Sequence, residues 1–208
     1  MSFVLETERL YLRPFACGDD LALFSILGDA EIMRYYPRPL TREEVVLWVE
    51  RFRQSFSQSG IGLLALCLRS SGELIGDCGT VEQEVDGGRE IEVGYHLSRE
   101  QWNLGLATEA ARASIDYAFR ELQPPRVISL IRPENLASRR VAEKNGLAVD
   151  KVVFWRGYDH CIYQLRREDR NLLQARKLIK EQAECSSRSS GRKPGSVWQR
   201  SGSPKAPT

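Results

Sequence analysis

The chain is poor in the residues that build metal centres and disulfide frameworks. Its 208 residues include only two histidines, His96 and His160, and five cysteines. The cysteines (Cys17, Cys67, Cys78, Cys161, Cys185) are odd in number, scattered and never form C-x-x-C. A His-rich metal site and a zinc ribbon are excluded, no metal is expected, and reduced thiols in a cytoplasmic protein are the expectation. No window approaches the roughly 18 consecutive apolar residues of a membrane-spanning helix. Glu6, Glu8 and Arg9 stand where a secretory signal would need its apolar stretch. No segment recurs at a fixed period. Residues 186–208 lack acidic side chains altogether. They carry five basic ones (Arg188, Arg192, Lys193, Arg200, Lys205) with seven Ser, three Gly and three Pro. Such a segment cannot bury enough surface to fold and reads as a disordered basic tail. The remaining positions hold 25 basic and 28 acidic residues, so the bland net charge of +2 hides a body at −3. What is present is a core: 42% hydrophobic residues, with four Trp, seven Tyr and seven Phe.

The patterning alternates between strand and helix periods. Residues 8–13 alternate apolar and polar up to Pro14, a strand. Asp19–Leu27 reads as a helix with Asp19 and Asp20 at its positive end and Gly28 past its close. Thr41 and Glu44 form a capping box ahead of Val45, Trp48, Val49, Phe52 and Phe56, which recur at helical spacing. Residues 61–68 and 74–81 are β-rich runs joined by Ser70-Ser71-Gly72, and 89–97 is a third strand. Ala107, Ala110, Ala111, Ser114, Ile115, Ala118, Phe119 and Leu122 step at helical spacing up to Pro124-Pro125. A strand at 127–131, a helix at 135–145, strands at 149–154 and 161–165, and a polar helix at 171–182 complete the chain. The order predicts a mixed α/β sheet containing one parallel pair.

One junction concentrates the chemistry. The strand 89–97 leads through Trp102-Asn103-Leu104-Gly105-Leu106-Ala107-Thr108 into the small-residue helix. A glycine turn at a helix N-terminus exposes backbone N–H groups beside the positive end of the dipole, a site suited to phosphate. Small side chains at Gly105 and Ala107 let a ligand approach the backbone, and Thr108 adds a hydroxyl. Alone this pattern is also that of an ordinary well-packed turn. Asn135 and Ser138 open the next helix, where capping is the simplest role.

Taken together, Gly94-Tyr95-His96-Leu97, W-N-L-G-L-A-T-E-A (Trp102–Ala110) and N-L-A-S-R-R-V-A-E-K-N-G-L (Asn135–Leu147) resemble the GNAT family of acetyl-CoA-dependent N-acetyltransferases. T-E-R-L-Y-L-R-P (Thr7–Pro14) resembles the branch whose enzymes acetylate ribosomal-protein N-termini. The resemblance implies an acetyltransferase domain over 1–167, followed by a polar helix at 168–185 and the tail at 186–208. It further implies a mostly antiparallel sheet of six or seven strands, with helices on both faces and a splayed parallel pair. Pyrophosphate would lie on the amides from Leu104 to Thr108, beside Trp102 and Asn103. Trp102 replaces the Gln or Arg common in the family. Pantetheine would pair with the strand end at His96 and Leu97, and Asn135 and Ser138 would contact its arm. Many members carry a Tyr seven residues after that Asn, to protonate the leaving thiolate; Ala142 stands there instead. Ser138 and, second, Tyr163 are the alternative acids.

An amine is mostly ammonium at neutral pH, so a proton must leave before it attacks a thioester, and the resulting oxyanion needs donors. Glu92, mid-strand beside the expected splay, is the candidate base, against the alternative of a sheet carboxylate paired with Arg or Lys. Glu90 shares its face by period-two counting. No motif places a histidine beside Cys78 or Cys161, so a covalent acyl-cysteine is not expected. Tyr35, Tyr36, Trp155 and Tyr158 are candidates for the acceptor wall. The leading reading is an acetyltransferase acting on a primary amine, a protein N-terminus or a small molecule, as a monomer or homodimer. A silent acyl-CoA-binding module is the alternative. The mildly acidic body suits a cationic acceptor. Five charges and one aromatic (Trp198) are too few to read the tail as a nucleic-acid anchor.

Overall fold

Alternation along one strand sorts the interior into two layers. Leu63, Ala65 and Cys67 of β3 (Leu63–Leu68) pack with Leu23, Leu27, Val45, Val49 and Phe52, which come from α1 (Asp19–Leu27) and α2 (Arg42–Ser59). Leu64 and Leu66 point the other way, toward Leu106 and Ala110 of α3 (Leu106–Tyr117). A strand covered on both faces has no polar side, which is why 63–68 reads as a continuous apolar run.

The computed structural model describes residues 5–172 and Ala175. The chain divides into two units, Met1–Arg170 and Asn171–Thr208. The expected polar helix is described only at 167–172 and Ala175, where the backbone is helical. Its remainder and the basic tail lie outside the described residues.

The first unit adds β1 (Leu5–Glu6), β2 (Leu10–Arg13), β4 (Leu74–Val85), β5 (Gly88–Leu97), β6 (Arg126–Ile131), α4 (Leu136–Lys144), β7 (Ala148–Trp155) and β8 (Tyr158–Arg166). They form one sheet in the order β1-β2-β3-β4-β5-β6-β8-β7. Every neighbouring pair is antiparallel except β5–β6. The expected mixed sheet is present with eight strands rather than six or seven. The addition is β1, whose two residues pair with Leu12 and Tyr11 and are too short to carry a periodic signal. The Thr41–Glu44 capping box opens α2 as expected. Beyond α3, helical geometry continues as a π turn, Ala118–Leu122, before the two prolines.

Two features position the site. β5 and β6 pair only at Ile91↔Val127 and Glu92↔Ile128, then run on unpaired to Leu97 and Ile131, leaving an open wedge. On its other side β5 lies tight against β4: a Cβ at Gly76 would stand 2.0 Å from the His96 carbonyl oxygen. Glycine there lets the strands close and sets Asp77 opposite His96.

Candidate active site

The turn into α3 is built to present amides. Asn103 (φ 61°) and Gly105 (φ 79°) are both left-handed, conformations that Asn tolerates and Gly adopts without penalty. The first-turn N–H groups of Leu106, Ala107 and Thr108 have no acceptor within the helix. The Trp102 indole N–H donates to the Leu97 carbonyl (3.0 Å), tying the turn to the end of β5. This gives Trp a role that explains its place where the family often has Gln or Arg.

A brace reaches the same turn from the first strands. Thr7 Oγ1 donates to Glu109 Oε1 (2.6 Å), as does the Arg9 backbone N–H (2.9 Å). Arg9 Nε meets Glu109 Oε2 at 2.7 Å, while its Nη1 donates to the Leu104 carbonyl (2.9 Å). The T-E-R start and the T-E-A helix opening are therefore two halves of one clamp. Burial raises the Glu109 pKa, and the bonds from Thr7 and Arg9 together outweigh that cost and lower it.

In the wedge, Glu92 Oε1 accepts the Leu130 N–H (3.1 Å), and Oε2 accepts from Gln83 Nε2 (2.8 Å). Ser129 Oγ donates to the Val93 carbonyl (2.9 Å), bracing the strands as they part. Burial raises the Glu92 pKa, partly offset by the bonds from Gln83 and Leu130 and by the charge of Arg156. Deeper in the fold lies an array the sequence did not announce. Asp77, fully buried, accepts the Trp48 indole N–H (3.0 Å) and meets His96 Nδ1 at 2.7 Å. An acceptor-only carboxylate directs Nδ1–H toward itself, leaving Nε2 to accept from the Tyr36 hydroxyl at 2.7 Å. Although 46% of Tyr36 is exposed, enclosure of its hydroxyl, then the charges of Glu92 and Asp77, raises the phenol pKa.

The α3 turn, the wedge and the Tyr36, Trp48 and His96 members of this array line a single cleft of about 650 Å³, with Asp77 buried behind them. The acetyltransferase (GNAT) domain model matches residues 9–148. The chain belongs to the GNAT family. Among its relatives, the Bacillus subtilis (strain 168) "uncharacterized protein YkkB" is 36% identical over 150 residues, covering 72% of this chain and 87% of that one. An acetyltransferase (GNAT family) from Bacillus anthracis superposes with a TM-score of 0.68 at 27% identity, covering 80% of this chain and 99% of the other. The aminoglycoside acetyltransferase AAC(6')-Ib, solved with coenzyme A, shares the fold at 20% identity and a TM-score of 0.61, covering 77% and 96%. GNAT acetyltransferases use acetyl-CoA as the acetyl donor and an amine as acceptor, and this chain is an acyltransferase of that family.

Against this GNAT frame the expected residues sort by position. Glu92, His96, Leu97, Trp102, Asn103, Gly105, Leu106, Ala107, Thr108, Asn135 and Ser138 line the cleft; Leu104 and Tyr163 do not. Leu104 turns its side chain outward and gives its carbonyl to Arg9. Tyr163 is fully buried, and its hydroxyl accepts from Arg139 Nε (2.9 Å) and donates to Glu143 (3.1 Å). The Asn135 side chain caps α4 by accepting the Ser138 N–H (3.1 Å). Glu90 is paired with Arg126 and lies off the cleft. Cys78 contacts Ser114 Oγ (3.3 Å), and its thiol is pushed up to about 12 by burial; neither it nor Cys161 lines the cleft. Tyr35, Tyr36, Trp155 and Tyr158 all do. Among the described residues no group of three or more His, Cys, Asp or Glu could hold a metal, and no helix is long and apolar enough to cross a membrane.

Proposed function

We propose that this enzyme transfers the acetyl group of acetyl-CoA directly to a primary amine, without an acyl-enzyme. The observation that carries this reading is the convergence of an amide-rich helix N-terminus, an unpaired strand edge and a half-buried carboxylate on one cleft. The amides from Leu104 to Thr108 hold the pyrophosphate, with Trp102 and Asn103 shaping the turn. The free edge of β5 at His96 and Leu97 takes the pantetheine arm, and Asn135 and Ser138 border it. A backbone N–H on that edge donates to the oxyanion. The acceptor is a protein N-terminus, the reading supported by the likeness of Thr7–Pro14 to the ribosomal-protein branch, or a small-molecule amine. The body ending before the basic tail is the catalytic unit, and the tail takes no part in the chemistry.

Two protons leave the nitrogen in this reaction. The ammonium gives up the first to become a nucleophile; the N–C bond then forms, and the second leaves as the C–S bond breaks. One proton ends on the coenzyme A thiol and one is released to solvent. Glu92, with its pKa raised by burial, takes a proton directly or through water. The Tyr36–His96–Asp77 array offers a second acceptor: Tyr36 receives a proton on its oxygen as it passes its own to His96 Nε2. Ser138 is the donor to the thiolate, because its side chain borders the cleft whereas the Tyr163 hydroxyl is committed to Arg139 and Glu143. Thiol release from acetyl-CoA with a panel of amines tests this reading. Turnover that falls in Glu92→Gln and Ser138→Ala supports it. Tight coenzyme A binding without turnover of any amine favours a silent binding module.

A further inference from the structure

The cleft lining carries charge of the sign opposite to that of the body as a whole. Glu31 and Glu92 are the carboxylates on the cleft lining, and neither is free: Glu31 is paired with Arg34, and Glu92 is bonded by Gln83 and Leu130. Against them stand Arg51 of α2, Arg132 just after β6 and Arg156 of the β7–β8 turn. Each guanidinium lies over a ring: Arg51 over Phe52 (5.2 Å), Arg132 over Tyr158 (4.2 Å) and Arg156 over Trp155 (4.3 Å). Arg132 is the most enclosed, with 22% of its side chain exposed and its Nε shielded from water without a hydrogen-bond partner. That same Nε faces the Glu134 carboxylate in an ion pair at 3.7 Å, longer than a hydrogen bond, and Glu134 is 65% exposed and does not line the cleft. Arg156 meets the neutral Gln83 side chain at 3.4 Å.

Two further cations that border the cleft, Arg140 and Lys144, belong to α4, the helix that Asn135 and Ser138 open. A guanidinium stacked on an aromatic face is fixed in plane and presents its N–H edge, the geometry that suits a carboxylate or phosphate. We propose that Arg132, with Arg51 and Arg156, forms an oxyanion-binding subsite, and that the acceptor is a small amine carrying a carboxylate or phosphate. This rests on the acetyl-transfer reading above and names its substrate class. The same cations serve the chemistry, because positive charge beside the acceptor disfavours its ammonium form and raises the fraction able to attack.

The test uses matched amines on the full-length protein: an amino acid against its amide, and a phosphorylated amino alcohol against the parent amino alcohol. The expected result is a kcat/KM for the anionic member about 10- to 100-fold above its neutral partner, the range for a hydrogen-bonded charge. The pair showing the larger ratio distinguishes carboxylate from phosphate. In Arg132→Gln that ratio falls toward one. Arg51→Gln, at an exposed position, gives the same reading if the Arg132 variant fails to fold. Equal turnover of both members, preference for the neutral one, or a ratio unmoved by both substitutions overturns the subsite while leaving acetyl transfer intact. Absence of turnover with every amine, with acetyl-CoA bound, overturns both.

Discussion

Glu92 sits where a carboxylate is costly, in a wedge between strands with Gln83 and Leu130 as its donors. Burial raises its pKa, so the acid limb of the rate profile is expected above the ordinary carboxylate range, with activity rising as Glu92 deprotonates. Glu92→Gln should lower kcat by about 10²- to 10⁴-fold and remove that limb, with little change in the acetyl-CoA KM. Stability follows the opposite sign. A group whose folded pKa is raised destabilises the fold as pH climbs through it. The Gln variant should therefore melt at the same temperature as the parent in acid and higher at alkaline pH. A second residue-scale prediction concerns Tyr36→Phe, which keeps the ring against His96 and deletes the link from the cleft to His96 Nε2. It should lower kcat about tenfold or more, with the acetyl-CoA KM unchanged. Steady-state kinetics across pH checks both. Glu92 was legible in the sequence because alternation placed it mid-strand beside an expected splay. Asp77 was not: inside the apolar run of β4 it looks like an interruption, and only register with His96 reveals its use.

At the scale of elements, the opening of α3 depends on β1 and β2 through a clamp spanning 100 positions of sequence. Arg9→Ala removes both the Glu109 pairing and the bond to the Leu104 carbonyl. Because Arg9 is 46% exposed, the stability loss should be about 1 kcal/mol or less, while the loosened turn raises the acetyl-CoA KM several-fold. Gly105→Val forces a β-branched residue to φ near 79°, and should raise that KM at least tenfold or abolish binding. Calorimetric titration with acetyl-CoA, beside thermal melts, separates loss of binding from loss of fold. Helix and strand periods foretold most of these elements, since α1, α2, β5 and α4 fall within a few residues of their expected places. The clamp itself was half visible. Thr7–Arg9 and Glu109 carried a family likeness, but pairing between segments so distant is invisible to local pattern.

For the whole molecule, the net charge of the body and the charge along the cleft lining differ in sign. A body at −3 suits a cationic partner, yet the cleft lining gathers Arg51, Arg132 and Arg156 from three separated segments. Charge summed over a surface says little about a cleft that topology assembles. The basic tail, by contrast, is separable in composition, and a chain ending at Cys185 should retain kcat/KM within about twofold, well inside the effect of any site substitution. We propose direct acetyl transfer from acetyl-CoA with Glu92 accepting a proton. Its most direct test is coenzyme A release by the wild-type protein and Glu92→Gln, with each protein's affinity for acetyl-CoA measured alongside. Equal affinity, with turnover reduced by about 10²-fold or more in the variant, is the expected result. Equal turnover by the two proteins across pH would contradict it.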